Sequence, residues 1–159
     1  RYTLSEDNKQ IFAAEYKLNA RVVRLSAVFG PRMTFEYTDP VTHLIRACLL
    51  GDLQKESVTL EFSSRALFVE DAVSLIVKSV LSGSTALKIF DGSLLSPVKA
   101  VEIKQILLDP IWYENKGFAP SELPPWPTPN LEKTIKELAW SAKADLVKSL
   151  KKTINYFKT

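Results

Sequence analysis

The sequence predicts an α/β fold, and three observations carry that prediction. Val22 to Val28 is an apolar run rich in β-branched residues and too short for a helix, so it reads as a buried strand. Gly30-Pro31 stops it, because proline brings no ladder donor and glycine opens the backbone to a tight turn. A helical pattern precedes the strand and further helix–strand alternation follows. That order belongs to α/β chains, whose ligands gather beyond the carboxyl ends of the strands. The loop from Ser26 to Met33 is therefore the first place to look for chemistry.

Taken in order, Leu4 to about Leu18 reads as a helix. Ser5 stands as its N-cap, Glu6 and Asp7 favour the positive end of the dipole, and Ile11, Phe12, Ala14 and Tyr16 form a partial apolar face. Asn19 stands as its C-cap, and the strand from Arg21 to Val28 follows. Asp39-Pro40 opens a second helix, aspartate as cap and proline in the first turn, which passes through His43, Ile45 and Cys48 and stops at Gly51. Val58 to Phe62 alternates like a half-buried strand, Ser63-Ser64 reads as a turn, and Arg65 to Val69 as a short extended piece. Asp71 is expected to cap an apolar helix from Ala72 to Leu81, ended by Gly83.

Leu87 to Phe90 is a strand closed by Asp91-Gly92, and Pro97 opens a helix that turns Val98, Val101, Ile103, Ile106 and Leu107 to a core. Asp109 to Pro129 holds six of the nine prolines and two of the three tryptophans, and reads as an ordered irregular loop. Asn130 caps a helix to Ala139, and a last amphipathic helix runs from about Lys143 to Phe157. No repeat or low-complexity tract interrupts the pattern.

The 159 residues, 46% hydrophobic and 25% charged, suit one soluble globular domain or a large piece of a bigger one. Twenty-one basic and 18 acidic residues leave a net charge of +3, too mild to demand nucleic acid or membrane as a partner. A single cysteine, Cys48, excludes an internal disulfide and fits a reducing compartment. No apolar run approaches the roughly 18 residues of a membrane helix, and no signal-peptide pattern is present. A cytoplasmic protein is expected. Arg1-Tyr2, where an initiating Met would stand, predicts a fragment or cleaved product.

Four stretches carry a resemblance. The first is Ala20 to Arg32, an arginine-led strand and Gly-Pro turn, and the second is Ser64-Arg65-Ala66-Leu67-Phe68-Val69-Glu70-Asp71. The third is Ile89-Phe90-Asp91-Gly92-Ser93 with the Pro97 helix. The fourth is Leu138-Ala139-Trp140 with Leu146, Leu150 and Thr153 to Phe157. In order and at comparable spacing, over nearly the whole chain, they resemble the extended short-chain dehydrogenase/reductase family, the NAD-dependent nucleotide-sugar epimerases and dehydratases. The match is to the C-terminal half of the family. The glycine-rich phosphate loop of its dinucleotide domain is absent from the sequence.

The resemblance implies the C-terminal part of a Rossmann-like enzyme with its small substrate-binding lobe. Residues 1–33 would end the dinucleotide-binding domain. Residues 34–159 would form mainly the substrate lobe, with a strand near 87–90 returning to the main sheet. It implies an NAD(P)-dependent epimerase or dehydratase in which hydride passes from a sugar carbon to the nicotinamide and a tyrosine takes the hydroxyl proton. The cofactor would be NAD or NADP, its site incomplete in this chain. The partner would be a nucleotide-sugar, and a homodimer is one option. The alternative is a non-catalytic binding or scaffold protein derived from the same family. A third reading is an atypical reductase acting on a non-sugar substrate.

Residue by residue, the resemblance puts Tyr2 at the tyrosine of the family's Tyr-x-x-x-Lys pair, a spacing that sets both side chains on one helix face. Glu6 stands where the lysine belongs, and a carboxylate raises a phenol's pKa where a lysine lowers it. Lys9 lies a turn further on. Tyr2 is equally open to reading as a frayed chain end. Ser26 and Val28 match positions whose backbone flanks the nicotinamide, and Ala27 stands where many members place an asparagine on the sugar. The same residues also read simply as the end of a buried strand. Arg65 matches the arginine that grips the diphosphate, a task suited to a planar fork; the other uses open to it are a pair with Glu70 or Asp71, or a solvated side chain. Arg32 is in reach of a phosphate, and Arg24 reads as structural.

His43 is the sole histidine, with no metal-ligand spacing around it, so no metal is expected. Trp112, Tyr113, Phe118 and Trp126 either stack on a nucleobase or pack the proline-rich loop against the core. Lys143, Lys148, Lys151, Lys152 and Lys158 read as the solvated face of the last helix.

Overall fold

A computed structural model of the chain describes residues 15–35, 39–55, 63–83, 87–108 and 129–158. In chain order its elements are β1 (Arg21–Leu25), β2 (Val28–Phe29), α1 (Pro40–Leu50), a 3-10 turn (Leu53–Lys55), β3 (Ser63–Ser64), β4 (Leu67–Phe68) and α2 (Val69–Leu81). There follow β5 (Lys88–Gly92), β6 (Val98–Lys99), α3 (Ala100–Leu108), α4 (Leu131–Leu138) and α5 (Leu146–Lys158). The expected helix from Leu4 and strand from Val58 to Phe62 lie outside the described residues, apart from Glu15 to Leu18. So does the 109–128 loop with its aromatic residues.

The first strand is the one around which the molecule is arranged. β1 pairs in parallel with β5, Arg21 opposite Lys88 and Leu25 opposite Gly92. Beyond Ser26 and Ala27 the chain extends again as β2, which pairs in parallel with β4, and β3 pairs antiparallel with β6. The strand expected from Arg21 to Val28 is thus two, because at Ser26 and Ala27 the backbone changes partners. Ser26 N donates to Gly92 O at 2.9 Å, while Ala27 O accepts from Leu67 N at 2.7 Å.

Two cores result. Leu44, Ile45, Ile103, Ile106 and Leu150 bring α1, α3 and α5 together around Phe29 and Phe68, whose rings tilt at 5.6 Å between centroids. Leu67, Leu75, Phe90 and Trp140 form the second core, between α2, the β1–β5 ribbon and the segment after α4.

Several local expectations are corrected. Ser63-Ser64 is a strand rather than a turn, since its backbone finds a ladder in Val98–Lys99. That same pairing delays the helix expected at Pro97 to Ala100. β5 runs on through Asp91-Gly92 because β1 extends alongside it. The helix after Arg65 opens at Val69, not after Asp71, and ends at Ser82, whose N–H and hydroxyl bond to Ser79 O. The last helix starts at Leu146. Cys48 on α1 is half-buried.

Caps that the sequence announces are present. Asp39 accepts from Val41 N at 2.9 Å, Gly51 closes α1 with a φ of 78°, and Asn130 accepts from Lys133 N. Burial raises the Asp39 carboxyl above its usual value, outweighing the N–H groups of Val41 and Thr42 that lower it. A folded pKa above the unfolded one means that this group favours folding most below the unfolded value. The contribution then declines as pH rises through the folded value. Asp39→Asn should keep the cap and flatten that decline, whereas Asp39→Ala should cost about 1 kcal/mol; urea melts at pH 4 and pH 7 check both.

The far edge of β5 is closed by a threonine. Thr134 Oγ1 accepts from Asp91 N at 3.0 Å and donates to Asp91 O at 2.9 Å, with Thr134 fully buried. Thr134→Val keeps the shape and orphans both backbone groups. It should therefore cost about 2 to 4 kcal/mol, and a midpoint shift below a quarter of that would show that water reaches the strand.

Candidate active site at the carboxyl ends of the strands

The exits of β1 and β5 meet at one residue. Ser26, immediately past β1, donates its hydroxyl to the carbonyl of Arg65 at 2.7 Å. The Arg65 side chain reaches the loop after β5, where Nη1 donates to Leu94 O and Leu95 O, each at 2.7 Å. Leu94 N closes the ring on Arg65 O at 3.4 Å. Arg65 is thus held at both ends, by backbone on one side and by carbonyls on the other.

Its charge is not answered by a carboxylate among the described residues. Glu70 pairs instead with Lys152, and the Asp71 carboxylate accepts from Lys143 N and Ala144 N. The alternative of an Arg65 pair with Glu70 or Asp71 is thereby overturned. Arg65 Nε is buried and has no hydrogen-bond partner among the described residues. Burial lowers the pKa of the guanidinium, the signature of a cation short of counter-charge. A partly buried guanidinium with a donor unused, at the strands' carboxyl ends, is suited to an anion.

The other expected site residues divide. Ser26, Ala27 and Val28 lie beside Arg65, but their polar groups are engaged within the fold: the Ser26 hydroxyl on Arg65 O, the Ala27 carbonyl on Leu67 N. Val28 is half-buried against the second core. Arg32 is exposed, with a left-handed φ of 68° in the turn after Gly30-Pro31. Nothing among the described residues ties it to Arg65. Tyr2 and Glu6 lie outside the described residues. Arg24, read as structural, faces Asp91 at 3.5 Å. His43 is exposed on α1, and no group of three or more potential metal ligands exists among the described residues. Sequence reasoning missed the carbonyl clamp on Arg65, since no side-chain pattern announces a carbonyl acceptor.

No protein-family model and no curated protein matches the sequence. Solved structures do match the fold. The UDP-glucose 4-epimerase of Thermotoga maritima, solved with UDP-glucose, aligns with a TM-score of 0.71 at 23% identity, over 96% of this chain and 50% of its own. WbmF of Bordetella bronchiseptica, solved with NAD+ and UDP, aligns at 0.68 and 18% identity, over 93% of this chain and 48% of its own. MoeE5, solved with UDP-glucuronic acid and NAD, aligns at 0.67 and 16%, over 95% and 53%.

The fold is the mixed α/β fold found in about half of each of these solved chains.

The chain spans about half the length of the solved structures it matches. The ring made by Ser26, Arg65 and Leu94 sits where α/β folds in general hold ligands, past the ends of parallel strands. A dinucleotide is not accommodated by the described residues alone. The sequence has no glycine-rich turn for its phosphates, and Ser26 already gives its hydroxyl to Arg65. No described helix is long and apolar enough to cross a membrane.

Proposed function

We propose that this chain supplies the substrate-binding half of an NAD(P)-dependent nucleotide-sugar epimerase or dehydratase, and that Arg65 holds the diphosphate. The observation that carries the reading is the fixed guanidinium: clamped to Leu94 O and Leu95 O, without a carboxylate partner among the described residues, and keeping Nε unpaired at the sheet's ligand end. The neighbours solved with UDP-glucose and UDP-glucuronic acid support the ligand class. The 1–33 and 34–159 division fits this reading, with β5 pairing back to β1. The dinucleotide would supply hydride chemistry when bound. Its phosphates would be held by groups outside this chain's described residues, and the contribution of this chain is to bind and orient the sugar nucleotide.

A binding protein without catalysis is the second reading, favoured by Glu6 in place of the lysine and by Ala27, whose methyl offers no hydrogen bond to a sugar. A thermal-shift panel of UDP-glucose, UDP, NAD and NADP tests the common part of both. UDP and UDP-glucose should raise the Tm of the chain, and NAD alone should not. Arg65→Ala should weaken binding about 10- to 100-fold, the value of charge-assisted bonds to a diphosphate. Arg65→Lys, charged but without the fork, should fall between. A UDP-glucose shift undiminished in Arg65→Ala would remove the role of the arginine. Turnover of UDP-glucose with NAD present then separates enzyme from binder.

A further inference from the structure

The amino end of β5, away from Ser26 and Arg65, opens on a cavity. It measures about 300 Å³ and is lined by Ser82, Gly83, Lys88, Phe90, Glu137 and Leu138. Lys88 is the first residue of β5, and strand alternation puts its side chain on the same face as that of Phe90. Phe90 is fully buried and closes the floor. The last turn of α4 supplies Glu137 and Leu138, and the residues that follow α2 supply Ser82 and Gly83. α4 covers the edge of β5 that faces away from β1, where Thr134 bonds to Asp91. The cavity therefore belongs to the side of the ribbon that this chain completes by itself.

One ion pair sets its chemistry. Lys88 Nζ donates to Glu137 Oε2 at 2.7 Å, and the two side chains are 31 and 32% exposed. The bond from Lys88 holds the Glu137 carboxyl below its usual range, so both groups are charged at neutral pH. An ammonium has three donors and a carboxylate two acceptor oxygens. Among the described residues the pair uses one donor and Oε2, which leaves two N–H groups on Lys88 and the whole of Oε1 on Glu137. The neighbouring cations are engaged elsewhere: Arg21 Nη2 donates to Ser82 O at 2.9 Å and Lys78 Nζ to Ala139 O at 2.7 Å.

We propose that this cavity binds a free aliphatic α-amino acid, its carboxylate on Lys88, its ammonium on Glu137 Oε1 and its side chain over Phe90 and Leu138. A lone anion would lie against Glu137 and a lone cation against Lys88. A zwitterion sets an opposite charge against each and leaves the Lys88–Glu137 bond in place. The volume is at the small end for ligand sites, which suits an amino acid better than a nucleotide. This site is independent of the nucleotide-sugar reading, because Arg65 lies past the other ends of the same strands.

L-Leucine added to the chain tests it, read at the Gly83, Lys88 and Phe90 amide signals in nitrogen–proton correlation spectra. Those signals should shift and saturate with a Kd of about 1 mM, the affinity that two charge-assisted contacts supply. Isocaproate, which is leucine without the ammonium, and isoamylamine, which lacks the carboxylate, should each bind about ten-fold more weakly. Lys88→Met and Glu137→Gln should each weaken L-leucine by a similar factor, whereas Lys136→Met, outside the cavity, should leave it unchanged. A half-exposed ion pair contributes little to folding, so the Tm of both variants should stay near the parent value. Should either unfold, the comparison of L-leucine with its two halves on the parent chain decides alone. No saturating shift at about twenty times the expected Kd overturns the proposal. Isocaproate or isoamylamine binding as well as L-leucine also overturns it, and leaves a site for one charge only. An affinity unmoved by Glu137→Gln removes the ammonium contact and with it the amino acid. Shifts confined to Ser26 and Leu94 overturn it too, by placing L-leucine at the other end of the ribbon.

Discussion

Gly30→Ala should be the most damaging single methyl in the chain, lowering stability by about 3 to 5 kcal/mol through backbone strain and overpacking together. Gly30 has a φ of 152°, a conformation that side-chain-bearing residues rarely adopt, and it is buried. A Cβ there would stand 2.4 Å from Val69 Cγ1 and 2.9 Å from Val69 Cβ. Val69 is the first residue of α2, so its Cβ moves only if the helix start moves. Rotating χ1 relieves one contact and leaves the other. Gly51→Ala is the control, with a φ of 78° but nothing within 4 Å, and should cost about 1 kcal/mol. Equal midpoints for the two variants in urea would show that the Gly30–Val69 approach is loose enough to yield.

The second large effect is expected at Asp71. Its carboxylate, 8% exposed, accepts from Lys143 N through both oxygens at 3.2 and 3.1 Å, and from Ala144 N at 2.9 Å. It thereby ties the first turn of α2 to the segment leading into α5. Asp71→Ala should cost about 3 kcal/mol, because two N–H groups lose a charged acceptor in a region that excludes water. Asp71→Asn retains one acceptor oxygen and should cost about half as much. Amide exchange at Lys143 and Ala144 should quicken before that of α5. A loss below 1 kcal/mol in Asp71→Ala would show that water replaces the carboxylate.

Asp71 also shows where the sequence is legible and where it is not. An acidic residue ahead of an apolar helix looks like a cap; the helix is there, but it opens at Val69 and Asp71 lies inside its first turn. The carboxylate turns instead to a segment some seventy residues later, and nothing local reveals a partner so distant. Asp39 and Asn130, whose partners lie within three residues, could be read directly. The same division holds at the strands. Val22 to Leu25 was visible in composition. Ser63-Ser64 was not, because two serines become a strand only when Val98–Lys99 arrives to pair with them. In the site, Arg65 stood out as a guanidinium before an apolar strand. The carbonyls of Leu94 and Leu95 that aim it are main-chain atoms, which no sequence pattern marks.

The register of β1 has a consequence for how the chain is made. Arg21 meets Lys88 and Leu25 meets Gly92, so the organising strand leaves the ribosome well before its hydrogen-bonding neighbour exists. Pairing across so long a loop is slow, since the closure entropy must be met before any ladder bond rewards it. α1 and α2 can form locally in the meantime. The β1–β5 ladder can therefore close only once the polypeptide has grown past Gly92.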